Sequence, residues 1–147
     1  MVKNFDELIK EAQAQPARTV SVAVAQDKAA LEAVKNAADL GFIKPVLVGD
    51  AKKIEEITAS IGFKGYELVD AADEAEAVEK AVTLVHDKKA DVLMKGLVNT
   101  AVYMRGVLNK EYGLRKGRLL SLLAVYELPQ YHKLIYCSDS GINVAPD

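Results

Sequence analysis

The feature that most constrains this chain is a short apolar run followed by a helical pattern, repeated from Val20 to Met94. Val20 to Ala25 (VSVAVA) carries valine at alternate positions with only small residues between, as a strand covered on both faces would. Asp27 then offers an N-cap, and Ala30, Ala33, Val34, Ala37 and Ala38 follow at helical spacing. Gly41 ends that helix as a C-terminal glycine should. Pro45 to Val48 (PVLV) is a second strand, and Ile54, Ile57 and Ile61 mark an amphipathic helix that stops at Gly62. Tyr66 to Val69 is a weaker third strand. Asp73 and Glu76 have the spacing of a capping box, with Val78, Ala81, Val82 and Val85 as one apolar stripe behind it. Asp91 to Met94 (DVLM) is the fourth strand. Such alternation predicts an α/β class: a mainly parallel sheet with helices on both faces, in three α/β/α layers.

After the fourth strand the pattern changes. Arg118 to Glu127 (RLLSLLAVYE) and Lys133 to Ser138 (KLIYCS) read as two strands joined across Leu128 to His132, where Pro129 supports a turn. They predict an antiparallel addition, although the run Leu119 to Val125 could also be helical.

Composition excludes several function classes. A chain of 147 residues, half of them hydrophobic, is long enough for one core. Its net charge is −2 with both signs interspersed, which lacks the basic stripe of a nucleic-acid binder. Met1 to Lys10 (MVKNFDELIK) has no charged start followed by an apolar run, so no secretory signal is expected. No run approaches the roughly 18 apolar residues of a membrane span. The single cysteine, Cys137, has no partner for an internal disulfide and reads as a free, buried thiol of a cytoplasmic protein.

In an open parallel sheet, ligands bind beyond the carboxyl ends of the strands. The fourth strand runs into Lys95, Gly96, Leu97, Val98, Asn99 and Thr100, after which a helix carries Tyr103, Met104, Arg105, Val107 and Leu108. Glycine lets a backbone approach an anion, a helix start presents unpaired N–H groups, and Lys95 adds positive charge. Arg105, about one and a half turns into the helix, brings forked donors suited to phosphate. The loop does not follow the GxxxxGK[ST] pattern, and it also reads as a tight turn at Gly96, a cap at Asn99 or Thr100 and a solvated Arg105. A second candidate is Ser138 to Asp147 (SDSGINVAPD), which follows a strand with small polar groups, a glycine and a carboxylate and also reads as an ordinary turn. His86 reads as a capping cation at a helix end, and His132 as an exposed turn residue beside Tyr131. Neither has a cysteine or carboxylate at ligand spacing, and no metal site is expected. Arg115, Lys116 and Arg118 form a basic cluster, either a solvated edge or a seat for the phosphates of a nucleotide-like cofactor.

At these same residues the sequence resembles the phosphate acetyl/butyryl transferase family, and more closely its butyryltransferase branch. Ala90 to Arg105 (ADVLMKGLVNTAVYMR), Gly117 to Glu127 (GRLLSLLAVYE) and Ile135 to Asp147 (IYCSDSGINVAPD) carry the resemblance, which runs over the entire chain. It implies a fold related to that of the isocitrate and isopropylmalate dehydrogenases, with two domains and a site in the cleft between them. It also implies transfer of an acyl group from acyl-CoA to phosphate, giving an acyl phosphate and free coenzyme A.

On that resemblance, residues 1–147 are the N-terminal α/β domain in a truncated form of the fold. The family's phosphate arginine and its aspartate base towards the CoA thiol lie beyond Asp147, so no catalytic residue is assigned here. Substrate contacts are expected first from Lys95, Gly96, Asn99, Thr100 and Arg105, and second from Ser121, Ser138, Asp139 and Asn143. Leu122 follows Ser121 where the butyryltransferase branch carries a histidine. Cys137 reads as core, because the family reaction needs no acyl-enzyme. Coenzyme A is then a co-substrate with no permanently bound cofactor, and acyl-CoA and phosphate are the partners, with no nucleic acid and no membrane. Apolar surface is expected to be covered in a homo-oligomer or by pairing with the C-terminal half. The alternative function is a domain that binds acyl-CoA or phosphate without turnover.

Overall fold

The computed structural model describes residues 2–139 and 141–143. Its elements run α1 (Phe5–Gln13), β1 (Arg18–Ala23), α2 (Lys28–Asp39), β2 (Ile43–Gly49), α3 (Ala51–Ser60), β3 (Glu67–Asp70), α4 (Glu74–His86), β4 (Val92–Lys95), α5 (Thr100–Val107), β5 (Ala124–Tyr126) and β6 (Ile135–Cys137). They form two compact units, one of Pro16–Arg115 and one of Met1–Gln15 with Lys116–Asp147.

In Pro16–Arg115 the sheet has the order β3-β2-β1-β4 and every pair is parallel. β1 is central, with Val22 opposite Leu47 on one side and Met94 on the other. Its alternating run is buried on both faces, as its small and branched residues predict. Val20, Val22 and Leu47 pack with Leu31 and Val34 of α2, Ile54 of α3 and Phe63. Val46 and Val48 pack on the opposite face with Ala77, Val78, Ala81 and Val82 of α4, and α5 adds Val102, Tyr103 and Val107 there. Helices therefore cover both faces, and each buried valine or leucine contributes about 1.5–3 kcal/mol. Ser21 is fully buried among them, and its hydroxyl donates to the carbonyl of Ala81 at 3.0 Å.

The helix boundaries follow the sequence signals. Asp27, Asp50 and Asp73 accept from the N–H groups of Ala30, Lys53 and Glu76 at 2.8, 3.2 and 2.9 Å. Gly41 takes a left-handed φ of +84° just after the end of α2, which a side chain would resist. The Glu76 carboxylate reaches back to the amide of Ala72 at 2.6 Å, one residue before the cap itself. The third strand covers Glu67–Asp70 rather than Tyr66 to Val69. Tyr66 is turned instead towards α3, with its hydroxyl 2.8 Å from Thr58 Oγ1 and its ring 5.2 Å from that of Phe63.

The unit of Met1–Gln15 with Lys116–Asp147 departs further from expectation. It contains α1, capped by Asn4 on the Glu7 amide at 2.8 Å, a helix that the sequence reading leaves out. β5 and β6 are antiparallel as expected, with Ala124 opposite Cys137, but they form a separate two-stranded sheet and do not extend the parallel one. The strand expected over Arg118 to Glu127 exists only at Ala124–Tyr126. β6 offers three residues to pair with, and upstream the Leu122 amide and Leu120 carbonyl are bonded by the side chains of Asp139 and Asn143. Cys137 is half-buried rather than core, since a two-stranded ribbon gives β6 only one strand neighbour. Among the described residues no helix is long and apolar enough to cross a membrane.

Candidate functional site

The strand order puts the switch point between β1 and β4, because the chain winds outward from β1 through β2 to β3 and then returns to the other side. Two loops meet there. After β1, Val24 takes φ +57° although it is β-branched and almost wholly buried, an outlier held by its surroundings. The Val24 carbonyl accepts from the Leu97 amide at 3.1 Å, and the Ala23 carbonyl accepts from the Gly96 amide at 2.8 Å. Backbone bonding between β1 and β4 thus continues beyond both strand ends. A Cβ at Gly96 would overlap the Val24 carbonyl oxygen and lie 2.7 Å from that of Ala23.

These contacts correct the expectation that the amides following Gly96 cradle an anion. The amides of Gly96 and Leu97 are bonded to β1 and its continuation, and that of Val98 to the Gly96 carbonyl at 3.1 Å. The glycine serves the approach of the protein's own backbone. What remains for a ligand is the start of α5. Its cap is Asn99, whose side chain accepts from the Ala101 amide at 2.8 Å, and its first turn carries no acid. The other three helices of this unit begin with an aspartate. At α3, Lys53 holds the Asp50 carboxyl below its ordinary value, first through its amide and then through its ammonium group, with Nζ 3.1 Å from Oδ2. Three helix starts therefore supply their own negative charge, while α5 leaves its partial positive charge of roughly half a unit uncompensated.

Lys95 lies beside that start, exposed, with Nζ 3.4 Å from the Gly96 carbonyl oxygen. Thr100 is exposed at the first helical position. One loop thus brings together Lys95, Gly96, Asn99 and Thr100. Arg105 is exposed in the last turn of α5 and lines a shallow groove with Ala75, Val78, Val102, Gly106 and Tyr112. Tyr103 packs inward, and burial pushes its phenol up.

Residues not singled out in the sequence complete the carboxyl ends of β1 to β3. The Gln26 side-chain oxygen accepts from the Asp50 amide at 3.3 Å and fills the space left where Gly49 lacks a Cβ. Asp70 accepts from the Ala51 amide at 3.0 Å, and Lys80 Nζ donates to the Asp70 carbonyl at 2.8 Å. The available signal was positional: Gly49-Asp50 and Gln26-Asp27 follow directly on apolar runs.

The second group of expected contacts lies in the other unit, around Asp139. Its Oδ1 accepts from the amides of Gly141 and Ile142 at 3.1 and 2.9 Å. Its Oδ2 accepts from the Leu122 amide at 3.1 Å and from Asn143 Nδ2 at 2.6 Å. The amides of Ile142 and Gly141, helped by the other two donors, hold the carboxyl well below the usual carboxylate range. Asn143 also donates to the Leu120 carbonyl at 3.0 Å. Asp139 and Asn143 are thus occupied in tying their loop to Leu120–Leu122, whereas Ser121 and Ser138 are exposed. Ser140 and residues 144–147 of the expected Ser138 to Asp147 segment lie outside the described residues.

His86 ends α4 with Nδ1 3.3 Å from Asp87, and exposed His132 has its ring 4.8 Å from that of Tyr131. Arg115, Lys116 and Arg118 are exposed. Among the described residues no group of three or more His, Cys, Asp or Glu is placed to hold a metal ion.

Comparison with known proteins bears on this arrangement directly. The sequence profile described as "Phosphate acetyl/butaryl transferase" matches residues 55–147. Phosphate butyryltransferase of Clostridium beijerinckii is 44% identical over 149 residues, covering 100% of this chain and 49% of that protein. The probable phosphate butyryltransferase of Bacillus subtilis is 41% identical, covering 95% of this chain and 47% of its own length. Among solved structures, a branched-chain phosphotransacylase from Enterococcus faecalis superposes with a TM-score of 0.70 at 26% identity, over 88% of this chain and 45% of that one. The chain spans about half the length of the relatives it matches.

Proposed function

This chain belongs to the phosphate acetyl/butyryl transferase family, and from that premise we propose that it takes part in acyl transfer of the phosphate butyryltransferase type. An acyl group passes between coenzyme A and inorganic phosphate, giving an acyl phosphate and free CoA. The observation that carries the reading is the start of α5, the one helix start in Pro16–Arg115 without an aspartate cap, set beside Lys95 at the switch point. An anion is drawn there in preference to the other three.

In the direction of acyl-CoA synthesis, the CoA thiolate attacks the carbonyl carbon of the acyl phosphate. The C–S bond forms, the C–O bond breaks, and phosphate leaves with the electron pair. A free thiol has a pKa of about 8.5, so a base or a cationic pocket must assist. Lys95, at the end of β4, and the first turn of α5, including Thr100, offset the phosphate charge, and Arg105, in the last turn of α5, is the second cation. Asn99 fixes the helix start, and Gly96 holds the loop on β1. Within the unit of Met1–Gln15 with Lys116–Asp147, the exposed hydroxyls Ser121 and Ser138, beside the loop shaped by Asp139 and Asn143, are the second group of proposed substrate contacts. We assign the phosphate arginine and the base towards the thiol to the further half present in the longer relatives. The same reading makes the protein cytoplasmic, the fold dehydrogenase-like, and CoA a co-substrate.

The test follows release of CoA thiol from butyryl-CoA on adding phosphate. Residues 1–147 alone should release none, and a mixture with the C-terminal half of the Clostridium beijerinckii relative should release it. In that mixture Lys95→Ala and Arg105→Ala should each weaken phosphate use about 10- to 150-fold, matching a charge-assisted contact of about 1.5–3 kcal/mol. Circular dichroism should be unchanged. Ordinary steady-state constants in both variants would remove Lys95 and Arg105 from the site, and an inactive mixture that binds neither CoA nor phosphate would overturn the function itself.

A further inference from the structure

The side chain of Gln26 is held in one orientation by the protein's own backbone. Its Oε1 accepts from the Asp50 amide at 3.3 Å and sits in the notch where Gly49 lacks a Cβ, since a carbon there would overlap Oε1 and lie 3.1 Å from Cδ. The backbone around Gln26 is bracketed as well. The Ala25 amide donates to the Val48 carbonyl at 3.0 Å, and the Asp27 amide to the Ala25 carbonyl at 2.7 Å. Because the Asp50 amide is a donor, the oxygen of Gln26 must face it, which leaves Nε2 as the free end. The two N–H groups of Nε2 bond to nothing among the described residues, and the side chain is half-buried. A merely solvated side chain needs no seat of this kind, whereas a group that must meet a substrate at a set position does.

The surroundings decide what it can meet. Asp27, Asp50, Asp70 and Asp73 follow β1, β2 and β3, and each accepts from an amide at a helix start. This part of the rim is acidic and repels a phosphate, while Lys95 and the start of α5 attract one at the end of β4. Ala23 is paired with Lys95 on one side and with Val48 on the other, so β1 ends between the two regions, with neighbouring strands about 4.8 Å apart. An acyl phosphate is charged at one end and uncharged at its carbonyl. On this rim it lies with its phosphate at β4 and its carbonyl towards β1 and β2, where Gln26 offers a neutral donor.

Resting on the acyl-transfer reading above, we propose that Gln26 is a catalytic residue whose Nε2 donates to the acyl carbonyl oxygen. When the CoA thiolate attacks, the C–S bond forms and the carbonyl π pair moves onto that oxygen, where the N–H group stabilises the charge. The pair then returns, the C–O bond to phosphate breaks, and phosphate leaves with its electrons. Gln26 gives up no proton, and the same oxygen carries the charge when the reaction runs from acyl-CoA.

The test uses residues 1–147 mixed with the C-terminal half of the Clostridium beijerinckii relative, following CoA release from butyryl-CoA on adding phosphate. Gln26→Glu keeps an acceptor for the Asp50 amide but, ionised, has no donor. Gln26→Met keeps the size of the side chain and has neither. Both should lose about 100- to 1,000-fold in kcat, as removal of one oxyanion donor does, with the KM for phosphate unchanged. Exchange of the Asp50 amide should stay slow in Gln26→Glu and quicken in Gln26→Met, which separates the seat from the donor. An active mixture in which Gln26→Glu keeps its kcat overturns the assignment alone, as does a loss in either variant that falls on the phosphate KM with kcat intact. A mixture of unaltered chains that releases no CoA overturns it together with the acyl-transfer reading.

Discussion

Replacing Gly96 by alanine tests the junction of β1 and β4 most directly. The new Cβ would overlap the Val24 carbonyl oxygen and sit 2.7 Å from that of Ala23. Both obstacles are backbone, so no side-chain rotation relieves them, and the loop must leave β1. Departure breaks the Gly96–Ala23 and Leu97–Val24 bonds, each worth about 0.5–1.5 kcal/mol net. Forced overpacking adds about 1–3 kcal/mol. The sum centres on about 4 kcal/mol, a large part of a domain's total of about 5–15 kcal/mol. In urea, with m near about 2 kcal/mol/M, the midpoint should fall by about 2 M. Gly41→Ala is the reference, because Gly41 has a positive φ but nothing within 4 Å of an added Cβ, and it should lose only about 1–2 kcal/mol. If Gly96→Ala were no worse than Gly41→Ala, the close approach at the switch point would not be what requires glycine.

Val24→Gly should cost about 2 kcal/mol less than Val22→Gly in the same titration, since both delete a buried valine but only Val24 is relieved of a left-handed backbone, worth about 1–3 kcal/mol; equal losses would dismiss the strain. Asp139→Asn leaves one acceptor oxygen where four donors converge, so amide exchange at Leu122, Gly141 and Ile142 should quicken at neutral pH. The depressed Asp139 carboxyl keeps its stabilisation whole above its ordinary value of 3.8 and loses it only as pH falls from there through the lower folded value. Opening of this loop between about pH 5 and 7 would contradict that account.

The parallel unit was legible because its signals are local and agree with one another. VSVAVA can be buried on both faces only as a central strand, and an aspartate before two of the apolar stripes, Asp27 and Asp73, marks where those helices begin. α1 was missed although Phe5, Leu8, Ile9 and Ala12 stand at helical spacing behind the Asn4 cap, because Met1 to Lys10 was weighed only as a leader; none of its residues is buried. The strand over Arg118 to Glu127 was read too long because apolar residues report a tendency to pair and not the length of the partner, which β6 limits to three residues. At the site, Lys95, Asn99 and Thr100 could be placed from order alone. That the Gly96 and Leu97 amides turn towards β1 could not, since it depends on a valine adopting a φ that its side chain disfavours.

The central place of β1 has a consequence for the growing polypeptide. One of its edges is closed early by β2, the next strand made, but the other waits for β4. The Thr19 amide, for instance, finds its acceptor in Asp91, 72 residues further on, at 2.8 Å. At a synthesis rate of about 5–20 residues per second, that edge stays bare for on the order of ten seconds after β1 is made. It fronts VSVAVA, an uncharged, β-branched window of the kind most prone to pair with strangers. The order of strands in the sheet thus imposes a period of exposure on each new chain that the finished fold conceals completely.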